Sequence, residues 1–224
     1  MSLDELKTKS LFKEPSSSIV YSWLLDFEYP WLATAEIESQ ILLLGKTLNR
    51  DEYENCGGSV WISRDATVAS SAEIKGPCII DKGAEVRHCA YIRGNVIVGK
   101  GAVVGNSTEL KSSILFDGVQ VPHYNYVGNS ILGYKAHMGA GSITSNVKGD
   151  KTLVFVNTEK EKIETGLKKL GAMIGDYAEI GCGAVLNPGT VIGKGAQIYP
   201  LSMVRGYVPK NSIYKASGNI VKKN

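Results

Sequence analysis

Large aliphatic side chains recur every six residues through the middle of this 224-residue chain. Ile62, Val68, Ile74, Ile80, Val86, Ile92, Val98, Val104, Leu110 and Phe116 follow one another without a gap. Four residues after each comes, in most cases, a small side chain: Ala66, Ala72, Cys78, Ala84, Ala90, Val96, Ala102 and Thr108. The register is lost around Pro122 and returns as Tyr126, Leu132, Met138 and Thr144. After a break it returns again as Ile174, Ile180, Leu186, Ile192, Ile198 and Val204, with Ala178, Ala184, Thr190, Ala196 and Ser202 as small partners. Helices repeat at about 3.6 residues and alternating strands at 2, so neither explains this pattern. It fits a solenoid with one short strand and one turn per repeat. Three repeats close a triangular coil, which predicts about six or seven coils. Each inward aliphatic contributes about 1.5–3 kcal/mol of gross burial. Chain ordering offsets most of that, so stacking is what makes the rod stable.

Three segments fall outside the repeat, which itself occupies residues 56–208. Residues 1–55 read as a helical N-terminal cap: Ser18 can N-cap a run from Ile19 to Phe27, Pro30 breaks it, and Ile37, Ile41, Leu44 and Leu48 form an apolar stripe. The expected place for such a cap is over the open first coil, whose strand edges would otherwise be unpaired. Residues 146–172 are an inserted loop rich in Lys and Glu, and residues 209–224 a C-terminal tail.

Composition narrows the function classes. The net charge of +3 comes without a basic block, so nucleic acid is not an expected partner. Apolar stretches such as Ile41 to Leu44 are far too short to span a bilayer. Asp4, Glu5, Lys7 and Lys9 interrupt any signal-peptide pattern, and the expected location is cytoplasmic. Cys56, Cys78, Cys89 and Cys182 form no Cys-x-x-Cys pair and no metal-ligand pattern with the histidines, so neither disulfide nor zinc is expected.

Repeat proteins tend to place function where the repeat breaks. The break at Val121–Tyr126 holds His123, a candidate general base because a histidine is readily neutral near pH 7; the alternative is a hydrogen-bonded turn residue. Arg93 and Lys111 occupy equivalent positions three repeats apart, hence one coil apart on one face. Two stacked cations suit a phosphate between them, although each alone reads equally as a solvated charge. Lys151 offers another cation, and His137 is a candidate to face the same site as His123. Gly139-Ala140-Gly141 is a tight corner that would also let a ligand approach backbone N–H groups. Cys182 has no basic partner in the sequence and reads as a structural or pocket-lining residue.

The runs Gly105-Asn106-Ser107-Thr108-Glu109-Leu110-Lys111, Pro122-His123-Tyr124-Asn125-Tyr126-Val127-Gly128 and Gly139-Ala140-Gly141-Ser142-Ile143-Thr144-Ser145-Asn146 resemble one family. That family is the acetyltransferase domain of the bifunctional UDP-N-acetylglucosamine pyrophosphorylase/glucosamine-1-phosphate N-acetyltransferases. The runs 163–175 and 187–193 are more similar to an archaeal sugar-1-phosphate nucleotidylyltransferase/acetyltransferase branch. The resemblance implies a left-handed parallel β-helix, a homotrimer and an acetyl-CoA-dependent N-acetyltransferase of an amino-sugar 1-phosphate that needs no metal. It implies that His123 is the general base, that Arg93 and Lys111 hold the sugar phosphate, and that Tyr126, His137, Asn146 and Lys151 bind the acceptor. Ala140 and Cys182 would line the coenzyme. His137 stands where the family has an Asn, Val147-Lys148 replaces a Tyr-Asp pair, and no coenzyme-binding Arg is matched near the C-terminus. No nucleotidylyltransferase domain is seen, so no pyrophosphorylase activity is expected. A nucleotide-linked amino sugar as acceptor, and a non-catalytic subunit of a separate nucleotidylyltransferase, are the alternatives.

Overall fold

A computed structural model describes residues 3–14, 18–158, 160–215 and 218–223, so part of the predicted tail lies outside the described residues. The chain forms a three-faced parallel β-solenoid with seven complete coils and part of an eighth. The third face has seven strands, from Glu73–Ile74 to Met203–Val204, all paired in parallel. The first face runs from Val60–Ser63 to Tyr207–Val208 and the second from Thr67–Val68 to Ser212–Tyr214. Each of these two faces ends on one antiparallel strand: Tyr53–Asn55 against Val60–Ser63, and Ile220–Lys222 against Ser212–Tyr214.

The inward ladder confirms the six-residue period and corrects it at two places. On the first face Val98 stacks on Leu115, and Leu115 on Leu132. Leu115, not Phe116, is therefore the axial residue. On the third face Leu110 stacks on Val127, and Val127 on Thr144, so Val127 rather than Tyr126 points inward. Between these, Val121 stacks on Val104, and the register is not lost at Pro122. It slips by one residue at two tight corners, where Ser112 (φ 47°) and Asn129 (φ 49°) take left-handed backbone conformations.

The N-terminal segment does not simply close the first coil. It runs along the outside of the first face. Ile79, Ile97, Ile114, Ile131, Met173 and Val191 stack on the outward side of that face, and all are buried. Such a stripe would be a continuous apolar surface in water, so it requires a cover. The helix Ile37–Thr47 packs against Cys78–Ile80 and Val96–Val98, and the 3-10 turn Pro30–Ala35 against Ile131–Leu132. Gly45 lies hard against Trp61, in the first coil, whereas Glu5 lies 3.8 Å from Lys210 near the last. The buried carboxylate of Asp176 anchors the strap: it accepts the backbone N–H of Lys13 (2.7 Å), Glu14 (3.2 Å) and Tyr134 (2.9 Å). Ser18 does not open a long helix. Its hydroxyl donates to Asp117, and the helix that follows is one turn, Tyr21–Leu24.

Phe12 is fully buried and stacks on Phe116, with ring centroids 5.6 Å apart and planes 5° from parallel. Replacing Phe12 by Ala is expected to cost about 3 kcal/mol. For a chain of this size that lowers the melting temperature by roughly 10 °C, read in a thermal melt. A shift under about 2 °C would mean that the strap contributes little to stability.

Candidate active site

Two corners border the third face, and the predicted site residues divide between them. After each inward residue of the second face the chain turns through one corner. There His88, Asn106, His123, Ala140 and Cys182 occupy the same position in successive coils. The backbone ladder is explicit: Ser107 N–H donates to the carbonyl of His88, Tyr124 N–H to Asn106, Gly141 N–H to His123, Gly183 N–H to Ala140 and Leu201 N–H to Cys182. His123, Ala140 and Cys182, derived from separate motifs, are thus consecutive rungs of one corner. All three are exposed. Among the described residues no acceptor is recorded for the Ala140 N–H, and no hydrogen bond for the His123 ring.

A residue passed over in the sequence reading sets this corner. Asn125 is buried, at 2% exposure, in the place the repeat gives to a small residue. Its Oδ1 accepts the His123 N–H (3.0 Å), while its Nδ2 donates to the carbonyls of Gly139 (2.9 Å) and Ser142 (3.1 Å). One amide therefore ties the backbone of His123 to the turn that holds Ala140. An Asn at a repeat position otherwise held by small residues such as Ala, Thr and Ser was the available signal.

Arg93 and Lys111 stand one coil apart, as expected, but at the opposite corner of the third face from His123. The strand that carries Tyr126 lies between them. Arg93 is already paired: its guanidinium donates to Glu109 at 2.7 Å, an ion pair that pulls the Arg93 pKa further up. Mutual repulsion of Arg93 and Lys111 therefore does not require an anion, because Glu109 already answers one of the two charges. The guanidinium has five N–H groups, so a second acceptor can still be engaged. Lys111 has no ion-pair partner among the described residues. Glu109 escaped the sequence reading because its partner is set by coil stacking rather than by sequence neighbourhood.

Tyr126 is half-buried on the outward side of the third face, one coil from Glu109. Burial, reinforced by the Glu109 carboxylate, raises its phenol pKa, so it stays protonated. The Asn146 amide donates to Asn129 Oδ1 (2.7 Å) and to the Tyr126 oxygen. They meet above Gly128, where a Cβ would stand 2.6 Å from Tyr126 Oη and 2.8 Å from Asn146 Nδ2. Tyr126 and Asn146 are thus brought together with the Arg93–Lys111 corner.

The structure separates two other candidates from this group. His137 points outward from the second face, not the third, and pairs with Glu179 through Nδ1 at 2.9 Å. It lines one hollow with Gly139 and Cys182, and no contact with His123 is recorded among the described residues. Lys151 is exposed in a turn, with φ 57°, and no contact to Arg93 or Lys111 is recorded among the described residues. No helix among the described residues is long and apolar enough to cross a membrane.

The GMPPB C-terminal domain family matches residues 74–163, a stretch that holds every predicted site residue except Cys182. The chain is 36% identical over 111 residues to a bifunctional sugar-1-phosphate nucleotidylyltransferase/acetyltransferase of Sulfurisphaera tokodaii, covering 50% of this chain and 28% of that one. A bifunctional protein GlmU of Methanocaldococcus jannaschii is 35% identical over 120 residues, covering 53% of this chain and 29% of its own length. The expected relationship to these bifunctional proteins is therefore present, and the chain matches less than a third of their length. An acetyltransferase of Escherichia coli, YaiX, is 28% identical over 200 residues and matched over 87% of both chains. Among solved structures, the acetyltransferase domain of PglB from Neisseria gonorrhoeae with acetyl coenzyme A is 22% identical, with TM-score 0.40, covering 70% of this chain and 54% of that one.

Proposed function

We propose that this chain is an acetyl-CoA-dependent N-acetyltransferase whose acceptor is an amino-sugar 1-phosphate. The observation that carries the reading is the corner on which His123, Ala140 and Cys182 stack, beside the face that holds Tyr126, Asn146, Arg93 and Lys111. The relatives named as nucleotidylyltransferase/acetyltransferases support the same reading.

The chemistry follows from the positions. A neutral amine attacks the thioester carbonyl; its proton passes to the imidazole of His123, and the coenzyme leaves as a thiol. General-base help of this kind is worth about 10²–10⁴-fold. The unpartnered Ala140 N–H is the donor available to the oxyanion or to the coenzyme. Lys111, with the Arg93 guanidinium held by Glu109, receives the phosphate, and orientation supplies much of the rate. The coenzyme runs past Cys182 along the same corner. In a homotrimer, the second face of a neighbouring copy set against this third face would bring His137 to the acceptor. Such an enzyme would work in the cytoplasm.

The Arg93–Glu109 pair is the observation that favours a second acceptor class, a nucleotide-linked amino sugar, because it lowers the positive charge available to a terminal phosphate. A thiol-release assay with acetyl-CoA separates the two. Glucosamine and galactosamine 1-phosphates are expected to be acetylated in preference to the UDP-linked sugars; no thiol release with any amino sugar would overturn the enzymatic reading. Lys111→Ala is expected to raise the KM for the sugar phosphate by about 10–100-fold, the worth of one charged hydrogen bond, with a smaller change in kcat. An unchanged KM would remove Lys111 from the acceptor site.

A further inference from the structure

The inserted segment between Thr144 and Ala172 is not a structureless loop. It contains a hairpin, Phe155–Asn157 paired with Lys162–Glu164, folded back onto the corner between the third and first faces. Two glycines allow the approach. A Cβ on Gly189 would stand 2.4 Å from the Phe155 carbonyl oxygen, and one on Gly206 2.7 Å from that of Asn157. The hairpin is therefore held at backbone contact with the sixth and seventh coils, and a cleft lies beneath it.

That cleft encloses about 370 Å³, within the size range of small-molecule sites. Its charged lining is Lys148, Lys162, Arg205 and Asp150. Lys148 is paired with Asp150 at 3.2 Å. Lys162 and Arg205 have no carboxylate partner among the described residues. The Lys162 ammonium sits 3.8 Å from the centroid of the Phe155 ring, and that of Lys148 5.8 Å from the same centroid. Cations are thus gathered around one ring with less negative charge than would balance them. Asn157 and Asn187 add neutral polar groups to the wall.

The geometry points to a second anion site in this cleft, one that takes a phosphorylated small molecule with its phosphate between Arg205 and Lys162. A guanidinium fork beside an ammonium suits a phosphate dianion, and the volume leaves room for more than the phosphate alone. The site lies further along the same corner as Arg93 and Lys111: its near wall, Ser145 and Val147, flanks Asn146, and its phosphate end is set by Arg205. Adjacent coils are about 4.8 Å apart, so the backbone of Arg205, four coils beyond Lys111, lies roughly 19 Å from it.

Calorimetric titration of the whole chain with pyrophosphate and with glucose 1-phosphate tests this. Lys162→Ala/Arg205→Ala and Lys111→Ala variants are compared with wild type, and thermal melts serve as a control on folding. Weakening of one or both ligands by at least about tenfold in the double variant, with that ligand's affinity kept in Lys111→Ala, is the expected result. Absence of binding to the wild type at millimolar ligand overturns the site. So does equal affinity in the double variant, or loss confined to Lys111→Ala. Titration with coenzyme A adds a second arm. If its affinity falls with that of pyrophosphate, the phosphate belongs to the coenzyme; if it holds, the ligand is a different phosphorylated molecule. Because binding is read directly, this outcome is independent of whether acetyl transfer is observed.

Discussion

Replacing His123 by Ala is expected to lower turnover by about 10²–10⁴-fold while leaving the melting temperature nearly unchanged. The two halves of that result have separate grounds. The ring is exposed, and none of its hydrogen bonds is recorded among the described residues, so removing it strands no partner. Its backbone anchoring through Asn125 survives the substitution, because the bond there is made by the His123 N–H. On the proposed mechanism the chemical step nonetheless loses the group that accepts the amine proton. Turnover is measured by thiol release at saturating acceptor and coenzyme. Wild-type turnover would reject His123 as the base. Collapse of the melting temperature would instead assign it a structural role.

The largest stability loss is expected for Gly105→Ala. The backbone at Gly105 is not in the left-handed region, so conformational freedom is not what the glycine supplies. It supplies room: a Cβ there would stand 1.6 Å from the carbonyl oxygen of Pro122 and 2.0 Å from its carbonyl carbon. Those are backbone atoms of the next coil, on a strand registered to its neighbour at Gln120, Val121 and His123. Relief requires the coil to move outward by an ångström or more, which breaks inter-coil hydrogen bonds. A loss of about 4 kcal/mol is expected in denaturant unfolding, and the protein that remains folded should also turn over poorly, since His123 follows the displaced Pro122. Gly149→Ala is the matched control for stability, because its added Cβ meets nothing within 4 Å. Equal melting of the two variants would show that the coils are not packed as described.

The period of six was legible because the inward positions of a narrow prism are apolar with few exceptions, Thr144 among them. The slips at Ser112 and Asn129 were not, because each leaves two apolar residues side by side: Leu115 with Phe116, and Tyr126 with Val127. Counting by six lands on the wrong one. Phe116 is apolar for another reason, its contact with Phe12, a residue more than a hundred positions earlier. The buried outward stripe of Ile79, Ile97, Ile114 and Ile131 was present in the sequence at one residue per coil. It could be recognised only by reading the outward positions as closely as the inward ones, and it would have placed the N-terminal segment along the rod. His123 and Ala140 are 17 residues apart, the length of one coil, which makes them adjacent rungs, whereas Cys182, 42 residues further on across the insert, could be joined to them only through the family resemblance. The ion pairs were not legible: Glu109 is in register with Tyr91 and reaches Arg93 diagonally, and His137 and Glu179 are register partners separated in sequence by the insert.

Cysteine footprinting reaches the central claim most directly. Cys56, Cys89 and Cys182 are exposed, while Cys78 is buried, so alkylation followed by mass spectrometry compares Cys182 with Cys89, further along the same corner, and with Cys56 in the first coil's N-terminal hairpin. With the acyl-transfer crevice on the corner of His123, saturating acetyl-CoA should slow alkylation of Cys182 and leave Cys56 unchanged. Alkylation of Cys182 at the same rate with and without the coenzyme would contradict the account.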